Sequence, residues 1–405
     1  MNINRFCIYV VACTFHVAKS DTDAVLLPIF KDQTTLQYRA RMQQGTPSML
    51  MSLTVDLGGP FSWIDCSHGY KSSTYGPAHC GLAPCASFGP EQTCGDCRSG
   101  SNPRPGCNNN TCSVIAVNPI NGKSVVGEVA SDIITVHSTE GLVSAHTDFV
   151  CATTRLLQGL SKGVNGVVGF GRGRSSLLTQ FDSEFSDEVF RFPLKFAICL
   201  SSSTRSSGFA IFGNNKFSSS KSLQFTPMIQ NLKGDRSTDY YLNVNAININ
   251  GKQVQLNTTL LNTDSQGNGG TKISTVHPYT CSVTDAFTEE VNGAMTVQPV
   301  KPFGACYESK GLVIPVIDLV LHKKSVSWKI TGTNSMVRVN ENISCLGFVE
   351  GGVNSKASVV IRGHQLEDNL LQFSVTEGIG FSSLLLSKES SCANFNLSLY
   401  GVLLY

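Results

Sequence analysis

Two turns in this chain follow short apolar strands and carry side chains that could take part in acid–base chemistry. Asp56 lies in the stretch 55–63, VDLGGPFSW, and Ser274 lies in the stretch 273–277, ISTVH. A carboxylate in this setting can act as a lone general base. The alternative is a structural carboxylate capped by backbone N–H groups. We prefer the second interpretation, because the serine hydroxyl is far too weak an acid to act as a partner.

Other motifs that carry chemistry have little support. The glycines at 169, 171 and 173 lack the G-x-G-x-x-G spacing, and their surroundings are not a strand–helix–strand unit, so they predict lobe structure and not a phosphate loop. There is no HExxH and no G-x-S-x-G, and the histidines are scattered. The sequence therefore predicts no metal and no cofactor. His277 lies near the predicted site, where we expect a neutral, partly buried side chain.

The elements that must position these residues are mainly strands. Short runs rich in Val, Ile, Thr, Phe and Tyr alternate with Gly, Asn, Ser and Pro, as at 51–55, 128–136 and 359–361. Helical periodicity is scarce, and we predict short helices only at 176–181 and 279–291.

Two segments repeat in kind across the chain. Residues 165–171 and 358–363 each run from an apolar pair to a glycine, and each follows an earlier apolar segment, at Asp56 or Ser274, by about a hundred residues. This pattern predicts two homologous β-lobes. We place them at 21–205 and 206–405.

Composition excludes several classes of function. Charged residues make up 15% of the 405 residues, and the formal net charge is +2 without a Lys/Arg block, so a nucleic-acid binder is not expected. No apolar run is long enough to span a bilayer, which excludes a channel or transporter. We expect a monomer.

The N-terminus has the features of a secretory signal. Arg5 precedes an apolar stretch at 6–17, and small residues follow at 18–20, so we predict cleavage after residue 20. Asn-x-Ser/Thr triplets, which are acceptor sites for N-glycosylation, would be consistent with secretion. The chain has four of them, which are Asn109, Asn257, Asn342 and Asn396.

Cysteine usage points to an oxidising compartment. Of 15 cysteines, Cys7 and Cys13 leave with the signal, so 13 remain. Six of these crowd into residues 80–112, which we call the Cys-rich insert. Because 13 is odd, one thiol is left over, and we choose Cys281. The predicted disulfide cysteines are Cys66, Cys80, Cys85, Cys94, Cys97, Cys107, Cys112, Cys151, Cys199, Cys306, Cys345 and Cys392.

Several motifs resemble one plant group in order along the chain. They are CGDC at 94–97, PRPGCNNNTC at 103–112, GGTKIST at 269–275, GHQLEDNL at 363–370 and CANFN at 392–396. The chain is similar to secreted proteins of the basic 7S globulin and extracellular dermal glycoprotein group, which includes xyloglucan-specific endoglucanase inhibitors. The stretch around Asp56 resembles the first active-site motif of pepsin-like aspartic peptidases. The resemblance implies an all-β, bilobal pepsin-like fold with a central cleft.

The same resemblance implies that peptidase chemistry has been lost. Aspartic peptidases need two carboxylates that share a proton around one water. Ser274 stands where the second aspartate is expected, so Asp56, Gly58 and Ser274 form a vestigial site. Leu57 replaces the threonine whose hydroxyl ties the two active-site loops together, and Gly59 replaces a serine. The flap hairpin, residues 114–126, has no tyrosine.

The resemblance also implies three disulfides and a function. The bridges are Cys306–Cys345, Cys66–Cys151 and Cys199–Cys392.

The implied function is a secreted inhibitor of microbial glycoside hydrolases, especially xyloglucan-specific endoglucanases, in the plant apoplast. Basic side chains can pair with the two carboxylates of a glycosidase cleft. Where inhibitory relatives are expected to carry arginines, this chain offers Lys310 and Lys388.

Two other functions remain open. One is a storage or binding protein like the 7S globulins, which nothing local in the sequence excludes. The other is an active aspartic endopeptidase, which would need a further carboxylate to reach Asp56.

Overall fold

The computed structural model describes residues 24–97, 104–138, 141–185, 195–213, 223–229, 237–255, 257–281, 287, 290–291, 295–349, 356–374, 376–383 and 391–394. The predicted signal segment, Lys388 and Asn396 lie outside these described residues. The side chain of Cys281 does too, although its backbone lies on a strand.

Strands dominate the described chain. They are β1 Ala24–Lys31, β2 Tyr38–Gln44, β3 Met49–Asp56, β4 Trp63–Asp65, β5 Gly76–Pro77, β6 Thr93–Gly95, β7 Thr111–Val117, β8 Ser124–Ser138, β9 Gly141–Ala152, β10 Gly166–Gly169, β11 Lys195–Cys199, β12 Gly208–Gly213, β13 Gln224–Thr226, β14 Met228–Ile229, β15 Tyr240–Leu242, β16 Ala246–Ile249, β17 Lys252–Gln253, β18 Thr271–Ile273, β19 Thr280–Cys281, β20 Thr296–Val297, β21 Cys306–Glu308, β22 Ile317–Val320, β23 Ser327–Ile330, β24 Met336–Arg338, β25 Ile343–Leu346, β26 Phe348–Val349, β27 Val359–Ile361, β28 Asn369–Ser374 and β29 Gly378–Ser383.

Helices are short. The described α-helices are α1 Ala83–Ser87, α2 Leu177–Phe185, α3 Gly332–Ser335 and α4 Gly363–Leu366, and 3-10 turns lie at Thr154–Leu157, Thr258–Leu261 and Cys392–Asn394. The helix predicted at 176–181 corresponds to α2. The helix predicted at 279–291 is wrong at its start. Strand β19 forms there, because Thr280 pairs in parallel with Phe348 of β26. Within the described ranges, no helix has the length and apolar character needed to cross a membrane.

One large sheet joins the two halves of the chain. Its strand order is β13-β29-β28-β11-β12-β1-β2-β3-β10-β4-β9-β8-β7-β6, and β5 pairs with β8. The first half is joined to the second by the antiparallel strand pair β11–β28, in which Lys195 lies opposite Ser374 and Cys199 lies opposite Leu370. The smaller sheets of the second half run β14-β15-β18-β27-β19-β26, β17-β16-β22-β23 and β20-β21-β25-β24. This architecture confirms the predicted all-β, bilobal pepsin-like fold.

The lobe boundary at residues 205 and 206 stays a prediction. β12, Gly208–Gly213, lies just after it and pairs with both β1 and β11. This strand therefore belongs to the sheet that the first half builds.

Each half places its site residue with one parallel strand pair. β10 runs beside β3, so that Gly169 lies opposite Asp56. β27 runs beside β18, so that Ile361 lies opposite Ile273. All the residues of β10 and β27 are buried, as expected of parallel strands covered on both faces. The two repeated sequence segments are therefore the strands that support the two turns.

Disulfides divide between the lobes and the Cys-rich insert. Three fasten strands far apart in sequence and have the pairings that the family resemblance implies, which are Cys66–Cys151, Cys199–Cys392 and Cys306–Cys345. The other three lie within the insert and are Cys80–Cys94, Cys85–Cys112 and Cys97–Cys107.

The buried carboxylate of Glu128 anchors the end of the insert. It accepts hydrogen bonds from the backbone N–H groups of Gly106 and Asn108, at 3.1 and 2.8 Å, and from the hydroxyls of Tyr75 and Thr111, at 2.5 and 3.1 Å. Irregular loops cannot satisfy their own backbone groups, so a buried acceptor from β8 does it for them.

We expect Glu128→Gln to destabilise the protein by about 2 kcal/mol or more, because it replaces charge-assisted bonds and turns one acceptor oxygen into a donor. Urea unfolding would measure the change, and hydrogen exchange should show faster exchange at residues 106–111. Glu341→Gln, at an exposed turn, is the matched control. Equal stability of the two variants would contradict this role for Glu128.

Candidate functional site

Asp56 ends β3 at the mouth of a cavity between the two halves. Its Oδ1 accepts a hydrogen bond from the backbone N–H of Gly58, at 3.1 Å. Gly59 is required by space, since a Cβ there would lie 2.9 Å from the backbone of Gly169 and 3.2 Å from the carboxyl carbon of Asp56. A backbone-capped carboxylate is the arrangement that we prefer for this residue from sequence.

Ser274 occupies the corresponding turn of the second half. Its backbone N–H donates to the carbonyl of Ile361, at 2.9 Å, which extends the parallel pairing of β18 and β27 by one residue. Its hydroxyl accepts from the N–H of Val276, at 3.3 Å. The side chain therefore bonds within its own turn, and a hydroxyl of ordinary acidity cannot exchange a proton as a second carboxyl would.

The two turns are tied together by Thr275, a residue that the sequence analysis passed over. Its fully buried hydroxyl donates to the carbonyl of Val55, at 2.7 Å, and accepts from the N–H of Leu57, at 3.0 Å. Leu57 has no hydroxyl to return the contact, and its side chain is buried instead. From sequence we expect the link between the two turns to be lost, because Leu57 replaces a threonine. The second-half turn still makes its side of that link through the Thr275 hydroxyl. The signal was available, because Thr275 directly follows the vestigial position.

A second carboxylate does approach Asp56, from a segment that the sequence did not point to. Asp239 lies against the turn of Asp56, and a Cβ on Gly58 would be 2.2 Å from its Oδ1. Its Oδ2 accepts an ion-pair contact from the Nζ of Lys272, at 3.2 Å. The neighbouring Thr238 hydroxyl donates to the carbonyl of Gly58, at 2.5 Å. Asp239 precedes β15 without any motif, so only the tertiary structure brings it here.

The electrostatics of the site favour a protonated Asp56 in acid. Burial, reinforced by the charge of Asp239, raises the pKa of Asp56 to about 6, against the opposing effects of the Gly58 N–H and Lys272. Burial and the nearby Arg362 lower the pKa of His277 to about 4. His277 is therefore the neutral, partly buried imidazole that we expect from sequence. In the described residues, no group of three or more His, Cys, Asp or Glu side chains could hold a metal ion.

Beside Asp56 lies a cavity of about 950 Å³. Its walls come from the turn after β3, the flap hairpin, residues 86–92 of the Cys-rich insert and residues 172–175. The flap hairpin has no tyrosine, and its partly exposed side chains Ile115 and Val117 line this cavity instead.

The predicted target-contact and glycan residues lie away from this cavity. Lys310 is exposed, in the turn after β21. Asn109, Asn257 and Asn342 are exposed as well. Asn257 caps a 3-10 turn, where its side chain accepts from the N–H of Thr259. Their glycosylation stays a prediction.

The fold and the paired turns define a pepsin-like protein in which one of the two equivalent turns carries an aspartate and the other a serine. A family model described as "Xylanase inhibitor N-terminal" matches residues 38–214, and one described as "Xylanase inhibitor C-terminal" matches residues 239–383. The chain therefore belongs to the family of proteins built from these two xylanase-inhibitor domains, as the motifs shared with the basic 7S globulin group predict.

Named relatives extend along nearly the whole chain. It is 44% identical to "Probable aspartic proteinase GIP2" of Nicotiana benthamiana, with 95% of each chain covered. It is 32% identical to "Basic 7S globulin" of Glycine max, with 96% of this chain and 97% of that one covered. The crystal structure of edgp superposes with a TM-score of 0.86 at 44% identity, covering 93% and 98% of the chains.

Thr275→Val should lower the free energy of unfolding by about 2–4 kcal/mol, because it leaves a buried N–H and a buried carbonyl unpaired. Thr275→Ser keeps the hydroxyl and should lose much less. Denaturant unfolding of both variants would measure the difference. Equal destabilisation of the two variants would show that the methyl group, which only Thr275→Ser removes, contributes as much as the hydroxyl, and would contradict the dominant role of the hydroxyl.

Stability should fall as pH rises through about 6, because Asp56 has a higher pKa in the folded protein than the ordinary 3.8. A raised pKa favours the protonated, folded form, so this contribution is full below about 4 and is lost above 6. Between pH 4 and pH 7 the loss is at most about 3 kcal/mol.

Asp56→Asn should remove that dependence, and Asp239→Asn should reduce it by lowering the pKa of Asp56. Denaturant unfolding at pH 4 and pH 7 would compare the three proteins. A pH dependence that Asp56→Asn leaves unchanged would show that another group titrates.

Proposed function

We propose that this chain is a secreted, catalytically inactive peptidase homologue that inhibits a microbial glycoside hydrolase, with a xyloglucan-specific endoglucanase as the first target to test. The match of both xylanase-inhibitor domain models supports an inhibitor. Ser274, hydrogen-bonded in the turn that should hold the second aspartate, supports the lack of peptidase activity. The six disulfides and the globulin-like relatives support secretion. The apoplast is the proposed place.

Asp239 does not restore the peptidase pair. Its carboxylate is ion-paired with Lys272, and it belongs to a segment outside both site turns. A peptidase pair needs two carboxyl groups in equivalent positions sharing one proton around a water. Here one position holds a carboxyl and the equivalent position holds a hydroxyl.

Lys310 is the described residue that we propose for target contact. It is exposed and follows Cys306, which is bridged to Cys345, so its turn is held by a disulfide and by the strand pair β21–β25. A fixed cation can enter a cleft that contains two carboxylates at little entropic cost. Lysine is a point charge and not a bidentate clamp, so we expect moderate affinity. Lys388 is proposed for the same role on sequence grounds alone.

A glycan on Asn342 would stand next to this lysine. The carbonyl of Asn342 accepts from the N–H of Ser309, at 2.8 Å, so the two turns are neighbours. Asn342→Gln should therefore be compared with the wild type whenever the protein is made in cells that add glycans. Stronger inhibition by the variant is the expected result, because the bulk beside Lys310 is removed.

The test is a titration of the purified chain into a microbial xyloglucan-specific endoglucanase, following sugar release. We expect immediate, stoichiometric inhibition with both proteins intact on a gel. Lys310→Ala should weaken inhibition about tenfold, and Lys310→Arg should strengthen it, because a guanidinium can bind a carboxylate with two parallel bonds. Lys329→Ala, an exposed lysine on β23, is the matched control.

Three results would overturn parts of this proposal. Slow inhibition with fragmentation of the glucanase would show an active peptidase. Inhibition that Lys310→Ala leaves unchanged would remove this lysine from the interface. No inhibition of the endoglucanase or of other microbial glycosidases would favour a storage or binding role, which the relatives named "Gamma conglutin 1" and "Basic 7S globulin" suggest.

A further inference from the structure

The cavity beside Asp56 has an apolar part of its wall that the described residues leave open. The rings of Phe61 and Phe88 contact each other, with centroids 5.3 Å apart, and both line the space. Opposite them are Ile115 and Val117, which are 51% and 46% exposed although they line the same cavity. Alternate residues of a strand share one face, so both of these side chains project to the same side of β7. Large apolar side chains exposed together in a concavity mark a binding site.

Two arginines bring positive charge to the same space. Arg172 and Arg174 both line the cavity, and Arg174 is exposed. The guanidinium of Arg172 lies 6.0 Å from the ring centroid of Tyr240, and its Nη2 donates to the carbonyl of Ser237 at 3.4 Å. Its Nη1 also contacts the sulfur of Met228, at 3.9 Å. Each terminal nitrogen carries two hydrogens, so each keeps one donor for a ligand.

The buried part of Arg172 is incompletely satisfied. Its Nε is buried without a hydrogen-bond partner, and none of the ion pairs among the described residues includes Arg172. A buried donor on a charged group that bonds to nothing costs free energy. An anion in the cavity could pair with the charge of the guanidinium through its terminal nitrogens, and a carboxylate matches this planar group with two parallel bonds.

The acidic groups of the cavity do not oppose such an anion strongly in acid. Asp56, at the cavity mouth, has a pKa raised to about 6 by burial and by Asp239, and Lys272 neutralises Asp239. Below that pH Asp56 is mostly a neutral carboxylic acid and can donate a hydrogen bond. Glu91 lines the rim but is exposed, so solvent screens its charge.

We propose that this cavity binds a small amphipathic anion, with an aromatic or branched apolar body against Phe61, Phe88, Ile115 and Val117 and one carboxylate on Arg172 and Arg174. The volume of about 950 Å³ is within the range of small-molecule sites, roughly 300–1,000 Å³. The site is separate from the Lys310 turn, so it does not depend on inhibition of a glycosidase.

The test uses the full secreted chain and two aromatic carboxylates, 2-naphthoate and 4-phenylbutyrate, in calorimetric titrations at pH 5. The neutral analogue 2-naphthalenemethanol has the same ring system without the charge. We expect 2-naphthoate to bind at least about tenfold more tightly than the neutral analogue, as one charge-assisted contact implies. Raising the pH to 7 should weaken binding of the carboxylate in the wild type and much less in Asp56→Asn.

Variants locate the site. Arg172→Gln and Arg174→Gln should each weaken binding of 2-naphthoate about tenfold, and Val117→Ser should weaken both naphthyl compounds. Arg174→Gln changes an exposed side chain, so it keeps the test valid if Arg172→Gln folds poorly. Arg205→Gln, at an exposed turn outside the cavity, is the control and should bind as the wild type does. Failure of both carboxylates to bind, equal affinity for the neutral analogue, or affinity that neither arginine variant changes would overturn the proposal.

Discussion

The arrangement of the site depends on one buried hydroxyl. Thr275 is buried and bonds to the backbone of Val55 and Leu57 across the two halves of the chain. A parallel strand pair supports each of the two site turns, β3–β10 in the first half and β18–β27 in the second. The sheet pair β11–β28 carries the same connection through the base of the molecule. The hydrogen bonds that align the two turns therefore also join the two lobes.

The electrostatics of the site depend on an ion pair. Asp56 has a backbone cap, and its pKa responds to the charge of Asp239, whose partner is Lys272. The proton on Asp56 is therefore controlled by burial and by an ion pair, and not by an equivalent carboxyl. The flap hairpin offers aliphatic side chains where a tyrosine would cover a substrate, and the arginines at 172 and 174 line the same cavity. Such a cleft is better suited to holding a ligand than to transferring protons.

The strands of the lobes and the irregular Cys-rich insert are stabilised in different ways. The strands of the lobes bury alternate side chains and fasten to each other through long-range disulfides, such as Cys199–Cys392. The Cys-rich insert buries few apolar residues, and it depends on short-range disulfides and on the carboxylate of Glu128 for its backbone bonds. This difference follows from composition, because a segment of Gly, Pro, Asn and Cys cannot build a core of its own.

The sequence by itself determined the all-β class, the bilobal fold and the short helix predicted at 176–181, which corresponds to α2. Each depends on local patterns, which are period-two alternation, a repeated motif or a side chain at a known position in that motif. Long motifs shared with a plant group also implied three disulfide pairings that geometry alone could not choose. The tertiary structure decided the rest. Asp239 comes from a segment without a motif, and the motifs that contain Lys272 and Arg172 do not predict that these side chains lie near Asp56, because their meeting depends on how the halves pack. The strand at Thr280 was decided by pairing with Phe348, because a short strand is set by its partner more than by its own residues.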